Sequence, residues 1–260
     1  MNNIQNNPVI KTAEQTNYLN DLYRYLKNVT ITEYDIRSAG FSVLTYRKLL
    51  PADELEKLSK LDKHTRTVKE GLLQREHPKI AEEIVNTLSK VRQAFVLLNK
   101  IPDESILSIK KDAMFLINQT PQNLVIKDVF EWRKKGVYTS YLQLPGKKEF
   151  YYNGREDKLD VKGLSKEVVE KQNDFILKDI KNFLRSGERV NQEMIFSLLK
   201  SYREKYLKRQ LPLEVYRELD SGYFRVGDYQ MESIDEDMKN EIDISQNYMN
   251  YILPLIQAML

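Results

Sequence analysis

The chain has 260 residues, enough for a sizeable core and one or two domains. Its 41 basic and 38 acidic residues leave a net charge of +3, so only the distribution of charge, not its sum, can argue for nucleic acid. The absence of cysteine excludes disulfides and thiolate metal sites, and two histidines, His64 and His77, are too few for a His-rich zinc site.

The opening MNNIQNNPVI lacks a basic start followed by an apolar core, and no run of about 18 apolar residues occurs, which predicts a cytoplasmic protein of a bacterium or an infected cell. Residues 1–12 read as a loose, Asn-rich arm. TAEQTNYLNDLYRYLKN then reads as a helix with Leu19, Leu22, Tyr23 and Leu26 on one face. TITEYDI, residues 30–36, is rich in β-branched residues and predicts a strand ending in a turn at Ser38 to Gly40. From Pro51, ADELEKLSKLDKHTRTVKEG predicts a charged helix with acids in its first turn and basic residues later, as the helix dipole favours.

The stretch from His77 to Lys100 carries Ile80, Ile84, Val85, Leu88, Val91, Phe95 and Leu98 at helical spacing, and such a helix must bury that face. SILSI, KKD and AMFLI follow as two apolar runs around a charged tip, the pattern of a tight β-hairpin with Asp112 at the tip. GVYTSYLQL and KKEFYYN predict two more strands, joined by Pro145 and Gly146. Beyond Gly163 the pattern turns helical, with segments expected at 165–185, 191–209 and 245–260. The expected fold class is α+β: an antiparallel sheet with packed helices, followed by a mostly helical domain.

Two aspartates in strand-like contexts carry the functional reading. Tyr34 to Leu44 reads YDIRSAGFSVL, an aspartate, a serine three residues on, a short apolar stretch and a second serine, at Asp35, Ser38 and Ser42. This resembles the first palm motif of family B DNA polymerases. KHTRTVKEG resembles that family's next motif through Lys63 and Gly71, with Thr67, Val68 and Glu70 replacing its Asn-Ser and Tyr. SIKKDAMFLI resembles the hairpin motif whose tip carries two aspartates; the second is Asp112, while Lys110 replaces the first. RKKGVYTSYL resembles the primer-template element of the family through Lys134, Lys135 and, one place late, Tyr138, and VKG resembles the signature before the thumb through Lys162 and Gly163.

The fragments keep the family's order over residues 30 to 185. The resemblance implies an N-terminal arm and helix at 1–29, a palm-like domain at 30–163 with a stub of fingers at about 45–75, and a thumb-like domain at 164–260. It implies nucleotidyl transfer with Asp35 and Asp112 as catalytic ligands of two Mg²⁺ or Mn²⁺ ions, about 4 Å apart, stabilising attacking and leaving oxygens. Mg²⁺ prefers hard carboxylate oxygens and keeps several waters, so two aspartates suffice as protein anchors. Ser38, Gly40, Lys63, Arg66 and Gly71 would bind the nucleoside triphosphate, Lys63 and Arg66 neutralising its charge.

For KKGVYTSYLQLPGKK one reading is an exposed hairpin whose lysines discourage aggregation. The other has Lys134, Lys135, Lys147 and Lys148 on phosphates, with Tyr138 or Tyr141 packed on a sugar or base. The 16 tyrosines fit either amphipathic interfaces or surfaces for stacking bases. Lys200, Arg203, Lys205, Lys208 and Arg209 read as a solvated helix face that would also track DNA.

Three departures bear on function. Gly40 stands where the family usually carries a tyrosine beneath the sugar that excludes ribonucleotides, about 27 residues between Asp35 and Lys63 leave only a stub of fingers, and the 34 residues before Asp35 leave no room for a proofreading exonuclease. One resulting reading is a minimal, split or primase-like polymerase from a phage or mobile element, acting on primer-template with nucleoside triphosphates and other replication subunits. A second is a degenerate palm kept as a nucleic-acid-binding or assembly subunit, and a third is an unrelated α+β interaction protein.

Overall fold

The computed structural model describes residues 8–144, 146–186, 192–219, 224–226, 229–231, 236, 237, 239 and 252. The fold is α+β, and the chain divides into a first unit, Met1–Leu22 with Val29–Val137, and a second, Tyr23–Asn28 with Tyr138–Leu260. The division falls inside a strand, ahead of the change in composition near residue 163.

The first unit's described part begins with helix α1 (Pro8–Glu14), which buries Val9, Ile10 and Ala13 and replaces the end of the loose arm expected over residues 1–12; residues 1–7 lie outside the described set. The helix expected from residue 12 to 28 does not form. In its place β1 (Asn17–Leu19) leads to a turn and then to β2 (Tyr25–Ile36), a longer strand than residues 30–36. Asn20 supplies the reason. Its side-chain amide donates to the Ile106 carbonyl at 3.1 Å, its N–H donates to the Leu107 carbonyl at 2.9 Å, and its Oδ1 accepts from the Leu22 N–H at 3.1 Å. A short polar side chain that bonds backbone so well competes with helix formation. Leu22, expected on a buried face, is 81% exposed.

After β2 come α2 (Ala39–Arg47), α3 (Ala52–Ser59) and α4 (Lys63–Glu76). The continuous charged helix expected from Pro51 is thus two helices, because the Asp62 carboxylate accepts from the N–H groups of His64 and Thr65 at 2.9 and 3.1 Å and starts a new one. Helix α5 (Pro78–Leu98) forms as its periodicity predicts and buries Ile84, Leu88, Val91 and Phe95. The predicted hairpin also forms, from β3 (Ile106–Lys110) and β4 (Ala113–Ile117), with Lys111 and Asp112 as its tip. A short β5 (Val125–Ile126) pairs with the start of β6 (Phe130–Leu144).

The strand order in this unit is β1-β3-β4-β2-β6. Tyr34 and Ile36 of β2, Met114 and Leu116 of β4 and Trp132 of β6 share one hydrophobic cluster with α5, and Phe95 stacks on Trp132 with ring centroids 4.1 Å apart. Burying one such ring contributes roughly 1.5–3 kcal/mol. Side chains alternate along a strand, so seating Tyr34 and Ile36 against α5 turns Glu33 and Asp35 to the opposite face.

The second unit pairs the end of β6 with β7 (Lys148–Asn153), which in turn pairs with β8 (Lys158–Lys162), both antiparallel. Leu142 and Phe150 from these strands pack with Ile180, Leu184, Leu199 and Tyr206. Those last four lie on α7 (Ile176–Arg185) and α8 (Gln192–Leu207), which with α6 (Lys166–Gln172) and α9 (Leu213–Leu219) make up the helical part. The single helix expected over 165–185 is therefore two, α6 and α7. A small hairpin of β9 (Phe224–Val226) and β10 (Tyr229–Met231) was not foreseen, and the helix expected at 245–260 lies outside the described residues apart from Ile252.

Candidate active site

Strand register brings the two aspartates together. Asp35 is directly opposite Ala113, and the Ile36 N–H donates to the carbonyl of Asp112 at 3.2 Å, so Asp35 on β2 and Asp112 in the hairpin tip are neighbours. Burial pushes the Asp112 carboxyl above the usual range, and the negative charge of Asp35 pushes it further, while its own backbone hydrogen bond, Lys135 and Lys111 oppose the rise. The residues flanking the pair are bent: Ser38 has φ 46° and Lys111 has φ 55°, both left-handed without being glycine. Each such residue costs on the order of 1 kcal/mol, a strain that the surrounding structure must hold.

Cations surround Asp35. Arg133 donates from Nε to Oδ1 at 2.7 Å and from an Nη to Oδ2 at 3.2 Å, and Lys135 Nζ lies 3.7 Å from Oδ2. Lys135 also donates to Glu33 at 3.0 Å, where the Glu33 side chain is only 3% exposed. The hydrogen bond to Asp35 raises the Arg133 pKa. Burial works against the charge on Lys135, but its hydrogen bond to Glu33 and the charges of Glu33, Asp35 and Asp112 outweigh it and raise the pKa.

A further cation holds the hairpin tip from behind. Arg92 of α5, 1% exposed, donates to the carbonyls of Lys111 at 2.6 Å, Ala13 at 2.9 Å and Glu14 at 3.2 Å. Burial lowers its pKa to about 10, with Asp112 acting the other way, so it stays charged at neutral pH. It fixes the peptide immediately before Asp112.

The remaining sequence-predicted residues divide. Ser38 and Arg66 meet: an Arg66 Nη donates to Ser38 Oγ at 3.2 Å, and the guanidinium lies over Phe41 at 5.1 Å. Gly40 packs under α4, where a Cβ would collide with the Glu70 carboxylate. Lys63 is exposed in the first turn of α4, and a Cβ on the exposed Gly71 would meet nothing, so no contact requires glycine there. Lys134 is exposed on β6, whereas Lys135 is drawn to Glu33 and Asp35.

Tyr138 and Tyr141 are not surface aromatics. They are 2% and 0% exposed inside the second unit, and the Tyr138 hydroxyl donates to Asp160 at 2.7 Å, so neither packs on a base or sugar from these positions. Lys148 is buried as well, which lowers its pKa. Lys162 ends β8 opposite Glu149. Gly163 has φ 83°, and a Cβ there would strike the Lys147 carbonyl, so that position requires glycine on both counts. Lys200, Lys205 and Lys208 are exposed around buried Tyr202 and Tyr206, forming the solvated face expected of that segment.

Arg133, Glu33 and Arg92 have no place in the motifs read from the sequence, and Glu70 enters them only as a replacement. Strand alternation held the signal for two of them: Glu33 shares a face with Asp35, and Arg133 shares one with Lys135 rather than with Lys134. Arg92 falls four residues after Leu88 and three before Phe95, on the apolar stripe itself, which marks a buried cation.

Two carboxylates without histidine or cysteine form a hard donor set suited to Mg²⁺ or Mn²⁺. Among the described residues no group of three or more acidic, histidine or cysteine side chains is placed to hold a metal. Ions at this pair would therefore complete their shells with water or substrate oxygens.

Fold and site together define an α+β protein in which Asp35 on a strand and Asp112 at a neighbouring hairpin tip lie among Arg133, Lys135 and the buried Arg92. The family model described as Bacteriophage PBS1 gene 130 protein matches residues 9–260, and the chain belongs to that family. No curated protein matches it. Among the described residues no helix is long and apolar enough to cross a membrane.

Proposed function

We propose that this chain is a compact, polymerase-like nucleotidyltransferase of a phage, in which Asp35 and Asp112 hold two Mg²⁺ or Mn²⁺ ions. The observation that carries the reading is the register of β2 against β4, which sets Asp35 opposite Ala113 and beside Asp112. The order of elements supports it too, since the strand bearing Asp35, the helices α2 to α5 and the hairpin bearing Asp112 follow one another as the resemblance to family B polymerases implies.

Bound divalent ions would neutralise the triphosphate and activate the primer 3′-hydroxyl. The chain's own residues do the rest. Arg92 fixes the backbone before Asp112, Arg133 and Lys135 orient the Asp35 carboxylate, and exposed Lys63 and Lys134 offer positive charge to phosphates. Primer-template DNA, nucleoside triphosphates and other replication subunits in the infected cell's cytoplasm are the partners of this reading.

A second reading has its own support. The two hydrogen bonds from Arg133 already neutralise Asp35, as they would in a palm retained only to bind nucleic acid. Primer extension decides between them, run with Mg²⁺ or Mn²⁺ and separately with deoxy- and ribonucleotides. We expect incorporation by the wild type and a loss on the order of a thousandfold in Asp112→Asn. A wild type that binds primer-template with steep salt dependence but never extends it, partner proteins included, establishes the binding subunit instead.

A further inference from the structure

Helices α3 and α4 are held unlike the other helices of the first unit. No residue of α3 is buried, and in α4 only Glu70 is. Helices of 8 and 14 residues are marginal in water unless an apolar face is covered. Between them runs a groove of about 320 Å³ lined by Leu50, Leu58, Leu72 and Leu73. Along the outside of α4, Val68, Gly71, Leu72 and Arg75 fall at i, i+3, i+4 and i+7 and so share one stripe, with Val68 50% and Leu72 45% exposed. A Cβ on Gly71 would meet nothing within 4 Å beyond its own helix, although glycine weakens a helix interior. A second helix crossing closely at that point would use the missing side chain.

The charges on the groove identify its occupant. Helix α3 leads into the connection at residues 60–62 and α4 leads out of it, so Lys57 and Lys69 mark the end near that connection, and Glu54 and Glu76 mark the far end. A groove that is basic at one end and acidic at the other is complementary to itself turned end for end. Leu72 and Leu73 lie midway between Lys69 and Glu76 in the sequence. A twofold axis passing between those leucines therefore sets Lys69 of each copy against Glu76 of the other. Lys69 and Glu76 form no ion pair among the described residues, and the pair of Lys57 with Asp53 at 3.0 Å is an exposed one, easily exchanged. The four charges cancel, which disfavours nucleic acid as the occupant.

We infer that the chain forms a twofold dimer through this groove. Helix α4 packs antiparallel on α4 of a second copy, with Leu72 and Leu73 covered at the centre and Gly71 at the crossing. The inference does not depend on the nucleotidyl-transfer reading.

The test is sedimentation velocity of the full chain over a range of concentrations. The mass should rise from 30.8 kDa toward twice that, with a dissociation constant on the order of micromolar. Leu72→Asp should weaken the dimer by about a hundredfold while leaving the Trp132 emission unchanged, because that side chain is half exposed. Gly71→Ala should act in two directions, weakening the dimer and raising the urea midpoint of the dilute monomer. Lys69→Glu and Glu76→Lys should each weaken self-association by roughly tenfold, and an equal mixture of the two variants should recover it, since every contact across the axis again joins opposite charges. That recovery requires a second copy of this chain as the occupant. A wild type that stays at 30.8 kDa throughout, a dimer that survives Leu72→Asp, or a mixture that stays as weak as its components overturns the inference.

Discussion

Acids in the two units answer to different partners. In the first, Asp35 accepts two hydrogen bonds from Arg133, and Glu33 accepts one from Lys135. In the second, the acids answer to tyrosine hydroxyls: Tyr138 donates to Asp160 at 2.7 Å, Tyr151 to Glu149 at 2.6 Å and Tyr152 to Asp157 at 3.0 Å, with Lys158 and Lys181 added at the surface. An acid balanced by cations can trade one cation for another, whereas an acid bound to a neutral hydroxyl is fastened to its own fold. On the proposed reading, the contrast separates a site that exchanges ions from a framework that does not.

Removing the cation that positions Asp112 should have the largest effect on stability. Arg92→Leu leaves the carbonyls of Lys111 and Ala13 without the Arg92 donor in a buried setting and Glu14 with Ser89 alone, which costs about 3 kcal/mol. Trp132, the only tryptophan and 1% exposed beside Phe95, reports on the first unit alone. Its fluorescence should show the urea midpoint falling by on the order of 1 M or more. An unchanged midpoint would mean that the hairpin tip holds itself.

Arg133→Ala tests whether the site exchanges cations. Arg133 is 40% exposed at its side chain, so its charge is screened, yet it still competes for both oxygens of Asp35. The variant should bind Mn²⁺ about tenfold more tightly, read by titration of the free Mn²⁺ signal. The paired substitution in the second unit, Tyr138→Phe, should leave Mn²⁺ affinity unchanged. A gain in both, or in neither, erases the distinction between the units.

Legibility in the sequence followed physical range. Helix α5 and the β3–β4 hairpin were readable because their signals are local: an apolar stripe for one, two apolar runs around a charged tip for the other. Asp35 and Asp112 were readable as separate positions, but their adjacency depends on register between β2 and β4, a long-range property. The helix expected across residues 12–28 fails for the same reason, since Asn20 finds its partners on Ile106 and Leu107. The tyrosines at 138 and 141 looked like surface aromatics because composition cannot say which face of a strand is covered. Glu70 was visible only as a replacement in a motif, because its packing against Gly40 depends on how α4 meets α2.

Alkaline pH gives the gentlest test of the same comparison, because it puts negative charge on tyrosine hydroxyls while the Arg133 guanidinium, its pKa raised by Asp35, stays charged. In the second unit burial raises the pKa of Tyr202, and burial also pushes Tyr216 up to about 12. Tyr152 is raised too, by burial first and then by its bond to Asp157. A tyrosine whose folded pKa lies above its unfolded value contributes stability that is complete below about 10 and is lost as pH rises through the folded value. The loss should therefore develop between about pH 10 and 12, and the second unit should loosen first, seen as a cooperative rise of tyrosinate absorbance. The Trp132 emission should shift less across that window than the tyrosinate signal: burial raises the Tyr34 pKa and lowers that of Arg92 to about 10 in the first unit, but the Arg133–Asp35 pair stays charged because Asp35 raises the Arg133 pKa. If Trp132 emission shifts together with the tyrosinate signal, the two units unfold as one and their electrostatic difference has no separate thermodynamic expression.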